Sequence, residues 1–260
     1  MIDRSRSLWN EQLLTIMLRH LLLPSFLLSM LVSGCKKETT YPPAAVPADP
    51  AVLSVSHVVD GLPLTYDTLL YTNEAGALYS VTKVEYYLSE LVLMGTGSTA
   101  NDTLHGPWYV NAAGVTDFDL SSLRAGTYSG ATMLLGLPPA LNITGALPNT
   151  IENINMAWPE PMGGGYHFIK FEGRFVSDGT TPGYAMHIGK NAFLPHAELQ
   201  QGFTITGSGG KLQLTFNLNE VFRTPNTYDL ATGNYSMGNM DLMGQLQENC
   251  ANAFTIAYQP

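Results

Sequence analysis

Charged residues are scarce in this 260-residue sequence, and positive charge is scarcest. There are 12 Lys and Arg against 21 Asp and Glu, for a formal net charge of −9. The excess of basic residues by which proteins hold nucleic acid is missing, so nucleic acid is not expected as a partner. Cysteine is nearly absent, with only Cys35 and Cys250, which excludes a scaffold held together by disulfides. Disorder is excluded too, because 45% of the residues are apolar.

The motifs of common enzyme classes are absent as well. The sequence contains no G-x-S-x-G, H-E-x-x-H, C-x-x-C or Walker pattern. Glu160 and Glu172 could form the carboxylate pair of a glycosidase, but any β-rich protein offers such a pair by chance. We therefore expect a protein that is not an enzyme.

The first 34 residues predict a signal peptide. An apolar stretch runs from Met17 to Gly34, and a proline and a serine interrupt it, so it is too short for a transmembrane helix. Leu31-Val32-Ser33-Gly34-Cys35 follows, which resembles a bacterial lipobox, in which the cysteine becomes lipidated. The alternative is an ordinary signal peptide that contains a cysteine. With a lipidated Cys35, residues 35–50, rich in Pro and Ala, would tether the protein in the cell envelope, in the periplasm or at the outer-membrane surface.

Residues 51–260 predict one all-β domain, an antiparallel β-sandwich with one or two short helices. Short strand-like runs are separated by Gly, Asn and Pro turns, and the strand Lys211–Asn217 alternates apolar with polar residues. A helix is expected near 150–156, where an acceptor side chain precedes Glu152. A second is expected over 237–250 near the C-terminus, with Met237, Met240 and Met243 packed in the core.

Two segments combine residues that suit a soft metal ion. Residues 156–173 hold Met156, Trp158 and His167 around a triple glycine, and His187 follows in a later strand. His57 lies on the apolar side of the first strand, where a buried imidazole needs a carbonyl, a carboxylate or a metal as partner. Thioether and neutral imidazole together are typical of monovalent copper sites. The competing interpretation is a glycine loop that leads into a strand, with Trp and Met filling the core.

The order of these elements resembles the MbnP family of copper-associated periplasmic and lipid-anchored proteins. The resemblance covers about residues 51–258. It rests on four stretches of the sequence, namely Leu53-x-Val55-x-His57 with Gly61 and Leu64, Val84–Leu93, Met156-x-Trp158 with Gly165–Gly173, and His187-x-Gly189.

The resemblance implies a β-sandwich that binds a copper ion through histidines, and the soft donors favour Cu(I) as that ion. By position, His57 and His187 are the leading ligands, and Met156 and His167 are either additional ligands or groups that support the ligands. In some members a dihaem peroxidase-like partner oxidises a neighbouring tryptophan to kynurenine, and Trp158 corresponds to it. One position differs, since Glu160 stands where methanobactin-type members have a second tryptophan.

Two functions follow as hypotheses. The first is a lipid-anchored copper-binding protein for acquisition, storage or delivery, in which His57 and His187 meet at one end of the sandwich. The second is a surface module that binds glycans or proteins without metal. It would present Trp108 or Trp158 on an exposed aromatic platform.

Overall fold

The computed structural model describes residues 50–260, which fold into two β-sheets with two short α-helices. The strands are β1 (Ala51–Val59), β2 (Leu62–Pro63), β3 (Tyr71–Thr72), β4 (Leu78–Gly95), β5 (Asp102–Leu104), β6 (Trp108–Asn111), β7 (Asp117–Leu120), β8 (Gly126–Leu135), β9 (His167–Phe175), β10 (Gly183–Gly189), β11 (His196–Leu199), β12 (Phe203–Ile205), β13 (Gly210–Asn217) and β14 (Phe254–Gln259). The helices are α1 (Ile151–Asn155) and α2 (Met240–Cys250), and 3-10 turns cover Glu160–Met162, Asn191–Phe193 and Leu218–Phe222. The predicted signal peptide, Cys35 and nearly all of the predicted tether lie outside the described residues.

The smaller sheet has the strand order β14-β13-β1-β2, with β7 also paired to β1. β1 runs parallel to β13, from Ala51 opposite Gly210 to Val58 opposite Asn217. The other pairs in this sheet are antiparallel. The parallel pair joins segments more than 150 residues apart along the chain, so the first and the last strands of the domain lie in the same sheet.

The larger sheet is built around β4, an 18-residue strand. Its order is β10-β9-β4-β8-β11, with β12 on β8 and the short strands β3, β5 and β6 on β4. All of these pairs are antiparallel. Register shifts interrupt the pairing of β4 with β8 and β9, and that of β9 with β10 near Ile188.

The two sheets pack face to face around one apolar core. Tyr86 of β4 meets Phe216 of β13 with ring centroids 5.4 Å apart, and it meets Phe254 of β14 at 6.2 Å. Phe216 and Phe254 stack at 4.2 Å within the smaller sheet. The predicted all-β sandwich with short helices is therefore confirmed.

Both predicted helices are present, with differences at their ends. Thr150 caps α1 through its side chain, which accepts a hydrogen bond from the amide of Asn153. α2 begins at Met240 rather than 237, because Asn239 caps it. The expectation that all its methionines are in the core is wrong at two positions, since Met237 is 41% and Met240 43% exposed while Met243 is buried. Cys250, at the end of α2, is a free and fully buried thiol.

Over residues 50–260, no helix combines the length and the apolar character that crossing a membrane requires.

Candidate metal centre

The hairpin of β9 and β10 and the loop before it bring two histidines and a tryptophan together. His187 on β10 lies opposite Lys170 on β9, and Gly189 lies opposite His167. The His167 and His187 rings meet edge to face with centroids 5.0 Å apart, and the Trp158 ring centroid is 4.7 Å from that of His167. We call Trp158, His167, Glu172 and His187 the histidine cluster.

Hydrogen bonds hold both the ring and the backbone of His187. Its Nε2 lies 3.0 Å from Oε1 of Glu172, and because a carboxylate only accepts, Nε2 carries the proton and donates it. Ser236 holds the backbone, since its Oγ accepts from the His187 amide and donates to the His187 carbonyl, both at 2.7 Å. The opposite ring nitrogen, Nδ1, is buried and has no hydrogen-bond partner among the described residues. This nitrogen therefore offers a free lone pair inside the protein.

In His167 too, one ring nitrogen donates a hydrogen bond and the other is free. Its Nδ1 lies 3.1 Å from the carbonyl oxygen of Met156, so Nδ1 donates and Nε2 keeps its lone pair. Burial lowers the pKa of His167 to about 3, and the neighbouring His187 and Lys170 side chains lower it further, because a second proton on this ring would be repelled by positive charge nearby. The ring is therefore neutral at physiological pH. Histidines that bind metals commonly donate their second nitrogen to a carbonyl or carboxylate in this way.

Glu172 holds His187 and interacts with a lysine. The hydrogen bond from His187 is the main cause that holds the pKa of Glu172 below its ordinary value, although burial opposes it. Lys83 Nζ approaches the same oxygen at 3.8 Å. Since Oε1 of Glu172 accepts the proton of His187 Nε2, we assign this carboxylate to orienting the ring.

The loop between Met156 and Tyr166 closes over the cluster. The Trp158 amide donates to the carbonyl of Gly165 at 2.9 Å, and its indole Nε1 donates to the carbonyl of Met162 at 3.3 Å. Gly163, Gly164 and Gly165 have φ values of 112°, 66° and 87°, a left-handed run that side chains disfavour. The triple glycine thus folds the loop back, and Trp158 ends 2% exposed.

His57 lies in a different part of the molecule. Its Nε2 is 2.8 Å from the hydroxyl of Tyr86, and its ring packs against Phe216. Tyr86 is opposite Ile169 on β9, whereas His187 is opposite the next residue, Lys170. Successive side chains of a strand point to opposite faces. His57 therefore lies between the sheets while His187 is on the outer face of the larger sheet, contrary to the expectation that the two meet.

Of the five residues predicted for the site, the structure gathers four. Trp158, His167 and His187 have their rings in the cluster, and Met156 joins it through its carbonyl while its side chain is fully buried. Within residues 50–260, no group of three or more His, Cys, Asp or Glu side chains is arranged to hold a metal ion. Any metal here would therefore depend on two imidazoles.

Sequence reasoning missed Glu172 and Ser236 as parts of this site. The sequence offers Glu172 as a possible glycosidase carboxylate and as part of the stretch Gly165–Gly173, and neither indicates a contact with His187. Its contact with His187 depends on the register of β9 against β10, which no local motif encodes. Ser236 comes from a loop 49 residues further along, and no signal in the sequence marks it.

Comparison with known proteins places this chain in a family. The MbnP family model matches residues 48–241. The chain belongs to the MbnP family. A search of the solved structures finds MbnP from Methylosinus trichosporium, with 14% identity and a TM-score of 0.47, covering 83% of this chain and 100% of that one. A search of curated proteins finds no match.

Residues 48–241, which the MbnP family model matches, contain the whole histidine cluster together with His57. The matched span ends at Asp241, in the first turn of α2, so most of that helix and β14 lie beyond it.

Proposed function

We propose that this MbnP-family protein binds one copper ion, preferably Cu(I), through His167 and His187, as an extracytoplasmic lipid-anchored protein of copper acquisition, storage or delivery. One observation carries the proposal. Each of the two adjacent rings commits one nitrogen to an oxygen acceptor and keeps the other free, and the free Nδ1 of His187 is buried without a partner among the described residues. Membership of the MbnP family supports copper as the metal.

The donor set suits a soft monovalent ion. Two neutral imidazoles are sufficient for Cu(I), whereas Ca²⁺ and Mg²⁺ need several oxygen ligands, and structural Zn²⁺ usually needs four ligands. Ions that need several oxygen ligands are disfavoured here, because Glu172 is the one carboxylate of the histidine cluster and its Oε1 is held by His187 and approached by Lys83. A bound copper would supply a redox-active, thiophilic centre. The chain's own residues orient the two rings and exclude water from them.

Trp158 is the second part of the proposal. Its ring is against His167, so a change in the indole would alter the wall of the metal centre. The proposed change is oxidation to kynurenine by a dihaem peroxidase-like partner. Glu160, where a second tryptophan stands in methanobactin-type members, is exposed and is not part of that wall.

Copper loading of the full chain in non-ionic detergent tests the ligand assignment. After Cu(I) loading under reductant and dialysis, we expect about one copper per chain, lost in His167→Gln and in His187→Gln. The matched control is His105→Gln, because His105 is an exposed histidine whose Nδ1 contacts Glu90 at 3.0 Å. Circular dichroism checks that each variant is folded.

The same experiment separates the two candidate ligand pairs. Loss of copper in His57→Gln, with retention in a folded His167→Gln, would overturn the assignment in favour of the pair His57 and His187. Wild-type protein that keeps no copper, with Trp158 unmodified or oxidised, would overturn copper binding itself.

A further inference from the structure

A large groove is lined by residues that do not belong to the histidine cluster. It has a volume of about 640 Å³ and lies between β6, β7 and residues 141–153. Aromatic rings from three strands line it, namely Tyr87, Trp108, Tyr109 and Phe118. The apolar part is completed by proline and aliphatic side chains of the surrounding loops. We call this the aromatic groove.

The rings of the groove are held in place by one another. Tyr87 and Tyr109 meet edge to face with centroids 5.9 Å apart, and Trp108 and Phe118 lie 6.4 Å apart. The Tyr87 hydroxyl donates to Oδ1 of Asn153 at 2.7 Å, which ties the sheet to α1. Each aromatic ring carries a quadrupole with its negative side on the face, so an aromatic lining favours a cation over an anion.

The charged side chain that lines the groove is negative. Glu152 is the single charged residue among those that line it, and no ion pair found in residues 50–260 includes it. Glu85 lies beside Tyr109 at the edge, opposite Lys170 across the sheet. Burial raises the pKa of Tyr87 and of Tyr109, and neighbouring tyrosines at Tyr87 and the carboxylates of Glu85 and Glu152 at both rings raise it further.

From this arrangement we infer that the aromatic groove binds a small organic ammonium ion. Aromatic faces attract a cation that has lost its water, and an adjacent carboxylate adds direct attraction. A groove with Glu152 as its lone lining charge and no lining Lys or Arg favours a cation over a neutral sugar or an anion. This inference is independent of the copper site and stands whether or not copper is bound.

A pair of isosteric probes tests it on the full chain in non-ionic detergent. Choline and 3,3-dimethyl-1-butanol have the same shape, but a neutral carbon replaces the charged nitrogen in the second. By titration calorimetry we expect saturable choline binding, about tenfold tighter than that of the neutral probe. Equal affinities would overturn the inference in favour of a merely apolar groove, and no choline binding would overturn it outright.

Two variants locate the binding site. Glu152→Gln, an exposed change that keeps the side-chain shape, should reduce the preference for choline to about threefold or less. Glu198→Gln, which removes another exposed carboxylate, on β11 outside the groove, should leave the preference unchanged. Trp108→Leu should weaken choline binding by about tenfold in protein whose circular dichroism is unchanged. Unchanged binding in both groove variants would overturn the assignment.

Discussion

What each histidine can do is decided by the atoms its two ring nitrogens touch. His57 bonds a buried tyrosine hydroxyl, whereas His167 and His187 donate to oxygen acceptors and keep one nitrogen free. His105 is exposed and bonds Glu90, and His196 is exposed on β11, as expected of surface groups. The same residue type therefore serves the core, the candidate site and the surface.

His57 should make the stability of the protein depend on pH. Burial lowers its pKa from 6.5 to about 4, so the folded state prefers the neutral ring and the unfolded state binds the proton more readily. Its contribution is present above pH 6.5 and is lost as the pH falls toward 4. We expect the free energy of unfolding to fall by about 1–3 kcal/mol over that window on account of this group.

The measurement compares thermal unfolding of wild type and His57→Gln between pH 7.5 and pH 4. The amide can still bond Tyr86 but does not titrate, so the decline of the melting temperature should be shallower in the variant. His105→Gln is the matched control with an exposed ring, and its decline should follow wild type. Parallel curves for wild type and His57→Gln would contradict the prediction.

At the scale of elements, the end of β10 and the glycine loop fit together without spare room. A Cβ added at Gly189 would lie 2.3 Å from Cε3 of Trp158, well inside contact distance. We expect Gly189→Ala to displace the indole and to destabilise the fold by about 1–3 kcal/mol, as overpacking does. Weaker copper retention should accompany the displacement.

Chemical denaturation followed by tryptophan fluorescence measures the loss of stability and the displacement of the indole in Gly189→Ala. Gly114→Ala is the control, because a Cβ there meets nothing within 4 Å and its φ is not left-handed. Equal stability and an unchanged Trp158 environment in Gly189→Ala would show that the loop can move away freely.

Local patterns predict elements better than they predict which elements meet. The alternation over Lys211–Asn217 correctly identified β13, and the apolar side of the first strand correctly placed His57 in the core. The parallel pairing of β1 with β13 and the outward face of His187 depend on register between distant segments. Amphipathic spacing alone could not show that Met237 and Met240 stay exposed, because that depends on where α2 begins.

At the scale of the whole molecule, the two cysteines are expected to differ in reactivity. Cys250 is fully buried, and burial raises the pKa of its thiol to about 12, so it has little thiolate to react. Cys35 stands in the lipobox-like sequence, outside the described residues. If the protein is anchored as proposed, all acylation belongs to Cys35.

Metabolic labelling with a clickable fatty acid, in a bacterial host that processes lipoproteins, tests the anchor. We expect wild type to incorporate the label and Cys35→Ser to incorporate none, because the lipid is attached through the thiol. Cys250→Ala is the matched control, and it should keep full labelling since its thiol is inaccessible. Label that persists in Cys35→Ser, or an intact mass of wild type without lipid, would refute anchoring at Cys35 and favour an ordinary secreted protein. Copper retention by Cys35→Ser would then show that the metal centre works independently of the membrane.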